Sequence, residues 1–267
     1  MTDAHCHPWN LLEFIADAEN ERRQTKTAVA ASSWNLEQFE YHEKLALKAK
    51  EENAPKVFCC FALHPQLSAQ NKVSEDFSLD SGYEHLQSLA AAGRLDAVGE
   101  SGFDLYDEQY KAAEKLQEEM FARHLEIALI YKLPLVLHVR RSMHKIFSSS
   151  KKLKKLPAVI FHSWSGTRSE GEALLKRGIN AYFSFGAAVT NNHRAAIDCA
   201  VWLPQDRILL ETDAPYQPLR GKVFSSWRDL PQICASIALF RKVAGSTCAD
   251  SAELKALTTE NFFKAFS

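Results

Sequence analysis

Short apolar runs recur along the chain, and longer amphipathic stretches separate them. Several runs are continuous and rich in Val, Ile, Leu or Phe, a pattern typical of parallel strands that are covered on both faces. The pattern therefore predicts eight strands: Thr2–Cys6, Thr27–Ala31, Lys56–Leu63, Asp96–Gly99, Leu133–Val139, Pro157–His162, Ile179–Phe185 and Arg207–Thr212.

The stretches between the strands have helical periodicity. In Glu108–Lys132, the clearest case, apolar residues recur at steps of three and four. Arg168–Arg177 precedes Gly178, a residue type that commonly follows the last turn of a helix. The other predicted helices are Glu37–Asn53 and a final pair at Trp227–Ala244 and Asp250–Phe266.

Eight strands that alternate with helices predict an α/β protein, a single (β/α)8 TIM-like barrel with C-terminal helices. An open, doubly wound sheet is the alternative, and the count of eight favours the barrel. The sequence has no linker rich in Pro, Gly or Ser and no internal repeat. We therefore expect residues 1–267 to form one domain.

Composition excludes several classes of protein. The chain is 46% hydrophobic and 24% charged, as in soluble globular proteins. No apolar run reaches the length of a membrane span, and the amino terminus does not resemble a secretory signal. We expect a cytoplasmic protein whose six scattered cysteines are reduced. The net charge of −1 argues against a broad nucleic-acid-binding surface but leaves room for a small basic site.

Polar residues with metal-binding side chains follow five of the predicted strands. Because the carboxyl ends of barrel strands meet at one mouth, we expect these side chains to converge. Four imidazoles and two carboxylates are too many for one hydrolytic ion with an open position, but they suit two ions bridged by a carboxylate. Zn, Mn or Mg fits this set. The candidate ligands are His5, His7, Glu100, His138, His162 and Asp213.

Seven segments, in order, resemble the motifs of the TatD family of metal-dependent hydrolases in the amidohydrolase superfamily. The match extends over essentially the whole chain. Two departures are Trp164, where the family usually has Phe, and Val223–Trp227, where it has Asn-Glu-Pro. Both are expected in loops that contact substrate. The matching segments are Asp3–His7, Leu63–Pro65, Ala97–Asp104, Leu133–Arg140, Phe161–Gly166, Leu209–Tyr216 and Asn261–Phe266.

The resemblance implies a two-metal site and an activity. His5, His7 and Asp213 would hold one ion, His138 and His162 would hold the other, and Glu100 would bridge them. Family members are described as metal-dependent deoxyribonucleases that often trim DNA from the 3′ end. We therefore expect phosphodiester hydrolysis by metal-activated water, with the single-stranded ends of DNA as the substrate. Asp213 is the best candidate for the general base, and Glu100 is assigned a catalytic role with it.

Three further residues have two interpretations each. Arg140 is either a phosphate clamp, since a guanidinium grips two phosphate oxygens, or a structural ion pair at the rim. His64 either contacts substrate or caps a loop. Glu211 is expected to orient a metal ligand rather than bind metal. The other histidines are interpreted as ordinary helix-face residues: His42, His85, His124, His144 and His193.

Two other functions remain open. The same metal centre could hydrolyse an ester or amide bond in a small molecule or in aminoacyl-tRNA. The barrel could also be a non-catalytic scaffold, although the presence of all six candidate ligands argues against this. No membrane and no obligate protein partner is expected.

Overall fold

The computed structural model describes residues 1–69 and 78–267. Eight parallel strands pair in sequence order, from β1 to β8, in one sheet. This order confirms the predicted barrel and differs from an open doubly wound sheet, whose strand order reverses. The strands are β1 (Thr2–Cys6), β2 (Ala28–Ser33), β3 (Val57–Phe61), β4 (Ala97–Asp104), β5 (Leu135–Arg140), β6 (Val159–Phe161), β7 (Ala181–Phe185) and β8 (Ile208–Leu210).

Hydrogen bonds between β1 and the segment after β8 nearly close the barrel. The amide of Asp213 donates to the carbonyl of His5 at 3.0 Å. The carboxylate of Asp3 accepts from the amide and the hydroxyl of Thr212 at 2.9 and 2.6 Å. Burial raises the pKa of Asp3 to about 7, although the Thr212 bonds oppose this shift. Asp3 is thus bonded across the seam of the barrel.

Helices surround the sheet. The predicted helix Glu108–Lys132 is divided at Ala113, and the predicted Trp227–Ala244 begins with a 3-10 turn over Trp227–Asp229. The helices are α1 (Pro8–Leu11), α2 (Ala18–Gln24), α3 (Leu36–Glu51), α4 (Leu79–Ala91), α5 (Glu108–Ala112), α6 (Glu114–Tyr131), α7 (Met143–Ser148), α8 (Ser150–Leu153), α9 (Arg168–Lys176), α10 (Ala187–Thr190), α11 (Arg194–Trp202), α12 (Leu230–Val243) and α13 (Ser251–Ala265). No helix in the described ranges is long and apolar enough to span a membrane.

The C-terminal helix closes one end of the barrel. Phe262 and Phe266 belong to a buried cluster with residues near the amino ends of the strands, among them Phe58 and Ala158. The Phe262 ring lies 5.3 Å from that of Phe58, edge to face. This end is therefore filled with apolar side chains, and a ligand has access only from the opposite, carboxyl end.

Two of the five histidines interpreted as helix-face residues are fully buried. His42 of α3 accepts from the amide of Trp9 at 3.2 Å, and its other nitrogen lies 2.7 Å from the Ser33 hydroxyl. His124 of α6 makes the same pair of contacts with the amide of Leu63 and the hydroxyl of Ser101. Each histidine therefore connects an outer helix to the backbone of the barrel mouth.

These buried histidines predict acid sensitivity. Burial lowers the pKa of His42 and of His124 to about 3, whereas an unfolded histidine titrates near 6.5. Below pH 6.5 the unfolded chain therefore binds protons that the folded chain does not, and the free energy of unfolding falls. We expect each histidine to account for roughly 1.5 kcal/mol of this fall between pH 6.5 and 5.

Urea unfolding at pH 6.5 and pH 5 measures this effect in His42→Gln and His124→Gln. Each variant should be less stable at pH 6.5 but should lose less stability on acidification than the unsubstituted protein. His144→Gln is the matched control, since His144 is exposed. Equal losses in all four proteins would contradict the prediction.

Candidate metal centre

The carboxyl ends of the strands surround an open cavity of about 1220 Å³. Five of the six predicted ligands line this cavity, and the sixth, His5, is buried directly beneath it. Glu100 lies within β4 rather than at its end, since β4 continues to Asp104 and not only to the predicted Gly99. Glu100, Ser101 and Asp104 interrupt the apolar pattern in this part of the strand, so the apolar run ended earlier than the strand does.

Glu100 is at the centre of the cluster. Its Oε2 lies 3.2 Å from Nε2 of His5 and 3.9 Å from Nε2 of His7. Its Oε1 lies 2.7 Å from Nδ1 of His138 and 2.6 Å from Nε2 of His162. The two oxygens of one carboxylate thus face two different pairs of histidines, which is the geometry of a bridging ligand.

The ring nitrogens in each pair face one another. Nε2 of His5 lies 3.1 Å from Nε2 of His7, and Nδ1 of His138 lies 3.2 Å from Nε2 of His162. Two ligands that are each about 2.1 Å from a tetrahedral ion are about 3.4 Å apart. The spacing and the N/O chemistry of these side chains therefore fit divalent metal ions.

The geometry defines three overlapping groups that could each hold an ion. Two of them consist only of predicted ligands: His5, His7 and Glu100 in one, and His5, His162 and Asp213 in the other. The third combines Glu100 and His138 with His64. His162 is thus close to both sides of the cluster, so the division of ligands between two ions remains a prediction.

The electrostatics keep three of the candidate ligands, Glu100, Asp213 and His5, free of protons, as metal ligands must be. Despite burial, the charge of Glu100 raises the pKa of His162 to about 10, and hydrogen bonds with Asp104 and Glu100 raise the pKa of His138, so a metal ion would have to displace protons from these two rings. Burial alone would raise the pKa of Glu100, but the surrounding imidazoles, His162 foremost, hold it well below its usual range. For Asp213, burial alone would again raise the pKa, but a hydrogen bond from His7 together with the charges of the neighbouring imidazoles lowers it. Burial lowers the pKa of His5 to about 4, so its ring is neutral. Both carboxylates are therefore ionised at neutral pH.

Asp104 belongs to the site, although no role was assigned to it from the sequence. Its buried Oδ2 lies 3.1 Å from Nε2 of His138 and 3.2 Å from Nη1 of Arg140 and accepts from Gln66 at 2.8 Å. A carboxylate on the outer nitrogen of a ligand histidine sets the ring's tautomer and orientation. Asp104 lies four residues after Glu100, a spacing that places both side chains on the same face of a strand. The sequence could show this only if β4 was predicted to extend as far as Asp104.

The structure supports parts of both interpretations of Arg140 and His64. Arg140 forms the rim ion pair with Asp104, yet 41% of its side chain is exposed toward the cavity. His64 accepts a loop hydrogen bond from the amide of Gln66 at 3.2 Å, and its Nε2 lies 3.3 Å from Oε1 of Glu100. Substrate contact by either residue is still a prediction.

Glu211 is fully buried beside the cluster. Its Oε1 accepts from the amide of Ser163 at 2.7 Å and lies 3.8 Å from Nδ1 of His162, which is too far for a hydrogen bond. Burial raises its pKa to about 8. Glu211 thus fixes the backbone next to His162, and an orienting role remains a prediction.

The two departures from the family pattern do not line the cavity, as the described residues define it, which corrects the expectation that they contact substrate. Trp164 is buried, with its ring 5.3 and 4.7 Å from those of Phe161 and Phe183. In the segment 223–227, Phe224 stacks on Phe14 and Trp227 is buried. Both substitutions therefore affect packing around the mouth.

Comparison with known proteins agrees with this geometry. A family model described as TatD related DNase matches residues 2–267. The chain belongs to this family. The resemblance seen in the motifs is thereby confirmed, and the chain is a metal-dependent hydrolase of the TatD type.

Individual TatD relatives are moderately similar. The 3′-5′ ssDNA/RNA exonuclease TatD of Escherichia fergusonii is 29% identical over 216 residues, which cover 78% of this chain and 77% of that protein. The uncharacterized metal-dependent hydrolase YcfH of Escherichia coli K12 is 31% identical over 68% of this chain and 67% of its own length. The crystal structure of YJJV, a TatD homolog from the same strain, has a TM-score of 0.78, with 23% identity and coverage of 99% and 97%.

We expect Asp104 to determine how tightly the centre binds metal. Asp104→Ala removes the partner of His138 Nε2 and should weaken metal affinity about 10–100-fold. Isothermal titration of the metal-free protein with Mn²⁺ or Zn²⁺ measures the change. Asp107→Ala, an exposed site three residues away, is the control. Unchanged affinity in a folded Asp104→Ala protein would show that this carboxylate does not position the ligand.

Proposed function

We propose that this TatD-family hydrolase is a deoxyribonuclease that removes nucleotides from the 3′ ends of single-stranded DNA with two divalent ions. The observation that carries the proposal is the Glu100 carboxylate, whose two oxygens face separate histidine pairs. A relative named 3′-5′ ssDNA/RNA exonuclease TatD supports the substrate class. The residues 1–267 would act as one catalytic domain.

The chain's own residues would hold both ions. His5, His7 and Asp213 would bind one, His138 and His162 would bind the other, and Glu100 would contact both. When bound, Mg, Mn or Zn ions lower the pKa of a water molecule and neutralise charge on the phosphate oxygens.

Asp213 is the proposed general base. One carboxylate oxygen faces His5 and His7 at 3.6 and 3.4 Å. The other accepts from Nε2 of Gln217 at 2.7 Å, which fixes the orientation of the carboxylate. Because Asp213 is ionised and held at the mouth, it can accept the proton of a water molecule that attacks phosphorus.

Two residues on the opposite side of Glu100 would bind the phosphodiester. Arg140 presents an exposed guanidinium to the cavity and would neutralise a non-bridging oxygen. His64 lies next to Glu100 and would contact the phosphate or protonate the leaving oxygen. Glu211 would keep His162 in place through the Ser163 backbone.

The cavity favours a polymer end over a small molecule. Small-molecule pockets typically occupy about 300–1,000 Å³, whereas this cavity occupies about 1220 Å³ and is open along the rim. The additional space suits several nucleotides of a strand. Hydrolysis of an ester or amide in a small molecule or aminoacyl-tRNA uses the same kind of centre and is the competing outcome of the test.

Incubation with 5′-labelled single-stranded DNA and Mg²⁺ or Mn²⁺ tests the proposal. We expect stepwise shortening from the 3′ end, abolished by a chelator and restored by added metal. DNA left intact while carboxylic esters or amides are hydrolysed would instead identify the second activity. A protein without bound metal or hydrolytic activity would contradict both.

Glu100→Ala should remove the shared ligand and therefore metal binding and activity together. We expect the metal content to fall from two ions to one or none. The accompanying loss in kcat/KM should be at least about a thousandfold, or roughly 4 kcal/mol of transition-state stabilisation. Elemental analysis and the DNA assay measure the two effects. Glu119→Ala, at an exposed position on α6, is the control. Full DNA cleavage by a metal-free Glu100→Ala protein would refute a two-metal mechanism.

A further inference from the structure

Charge is distributed unequally across the cavity mouth. On the β5 side, the guanidinium groups of Arg140 and Arg141 lie 4.2 and 4.4 Å from the ring centre of Tyr106. On the β8 side, the exposed ring of Tyr216 lies against His7, and Arg140 and Arg141 are the only Arg or Lys side chains among the described residues that line the cavity. One side of the mouth therefore attracts phosphates beyond the metal centre, whereas the other offers an aromatic ring without a cation.

The two sides are separate parts of the mouth. In the strand order, β5 is three strands from β8 along one path around the barrel and five along the other. Glu100, on β4, and its histidines lie between them, and both tyrosines line the same cavity. A strand whose cleaved phosphate lies at Glu100 would thus extend in both directions.

The backbone at the end of β5 brings both arginines to one ring. Successive side chains in a strand point to opposite faces, which would separate residues 140 and 141. Arg141 instead has a φ of 53°, in the left-handed region that favours glycine. This turn places both guanidinium groups over Tyr106.

The two arginines differ in their ion pairs with the described carboxylates. Arg140 pairs with Asp104, whereas no carboxylate within residues 1–69 and 78–267 lies within 4.0 Å of the Arg141 guanidinium. The Arg141 side chain is exposed and lines the cavity. Its charge is thus available to an anion beyond the one at the metal centre.

Tyr216 offers an exposed aromatic surface on the opposite side. The residue is 57% exposed, and its ring meets the His7 ring edge to face at 5.1 Å. Contact with His7 holds the Tyr216 ring next to the metal-ligand cluster. Stacking on an exposed aromatic ring stabilises a bound single strand and tolerates any of the bases.

We propose that the nucleic acid strand crosses the mouth in one direction, with its terminal base on Tyr216 and the phosphates of the remaining chain on Arg141 and Arg140. This inference rests on the proposed nuclease function and specifies its substrate subsites. A terminal nucleotide with a free hydroxyl carries no phosphate beyond the one being cleaved, so it requires no cation on the Tyr216 side. The rest of the strand carries one phosphate per nucleotide and is stabilised on the basic side.

The first test compares Arg141→Gln with the unsubstituted protein on 5′-labelled single-stranded DNA of two and ten nucleotides. Loss of a contact outside the cleaved bond should lower kcat/KM about tenfold on the decamer and less than threefold on the dinucleotide. Arg123→Gln is a matched control, because Arg123 lies over Tyr83 at 4.5 Å, outside the cavity. Equal losses on both lengths, or none, would overturn the assignment of Arg141.

Binding without turnover gives an independent measurement. Anisotropy of a fluorescent decamer in chelator should show a salt dependence of log Kd whose slope falls by about one in Arg141→Gln, because one phosphate contact is lost. Arg123→Gln should keep the slope of the unsubstituted protein. An unaltered slope in Arg141→Gln would contradict a phosphate contact.

The second test concerns the terminal base. Tyr216→Ala should lower kcat/KM on the decamer about tenfold, and Tyr216→Phe should retain most of the activity because it keeps the ring. The effect of Tyr216→Ala should disappear when the terminal nucleotide is abasic. If Tyr216→Ala and Tyr216→Phe lose activity equally on both substrates, no base stacks there.

The outcomes separate the two levels of inference. If the unsubstituted protein with metal cleaves neither the dinucleotide nor the decamer, the proposed function fails and takes the subsites with it. If it cleaves both but Arg141→Gln and Tyr216→Ala behave like Arg123→Gln, the nuclease function stands and the strand path is wrong.

Discussion

The buried carboxylate of Glu100 is the constraint on which the barrel mouth depends. An ionised group removed from water costs several kcal/mol unless neighbouring groups compensate for it. Here the compensation comes from ring nitrogens on β1, β5 and the segments after β3 and β6, together with any ion that they hold. Only a barrel closed at the β1–β8 seam brings those segments to one carboxylate, so Asp3 on Thr212 contributes to the site as well as to the fold.

The sequence predicts the fold and the convergence of the six candidate ligands because both depend on local patterns. Apolar runs predict buried strands. In a barrel, a histidine or carboxylate near the end of such a run lies at the mouth formed by the carboxyl ends of the strands. Asp104 was missed because β4 continues through polar residues that are buried by contact with other polar groups. The burial of His42 was missed for a related reason, since helical periodicity does not reveal that the Ser33 hydroxyl lies opposite its ring.

The position of Trp164 shows that the alternating directions of successive side chains determine which of them a substrate can contact. Its neighbours Ser163 and Ser165 line the cavity, whereas the Trp164 ring packs into the core against Phe161 and Phe183. A change at such a position alters the packing beneath the mouth without placing a new group in it. Resemblance to a family identifies the loop in which a departure lies, but burial decides whether the departure bears on specificity.

The near-zero net charge is compatible with an anionic substrate because the relevant charge is local. A protein that coats nucleic acid neutralises many phosphates, and its affinity is correspondingly sensitive to salt. In this mouth, Arg140 and Arg141 lie on the side proposed for the chain that remains, and no other Arg or Lys is found among the described residues that line the cavity. Such a field favours a strand that presents a phosphate-free terminus over one that continues through the site in both directions. An uneven distribution of charge at the cavity mouth therefore selects the ends of strands, although the net charge of the protein is close to zero. This selection requires no contact that distinguishes one base from another.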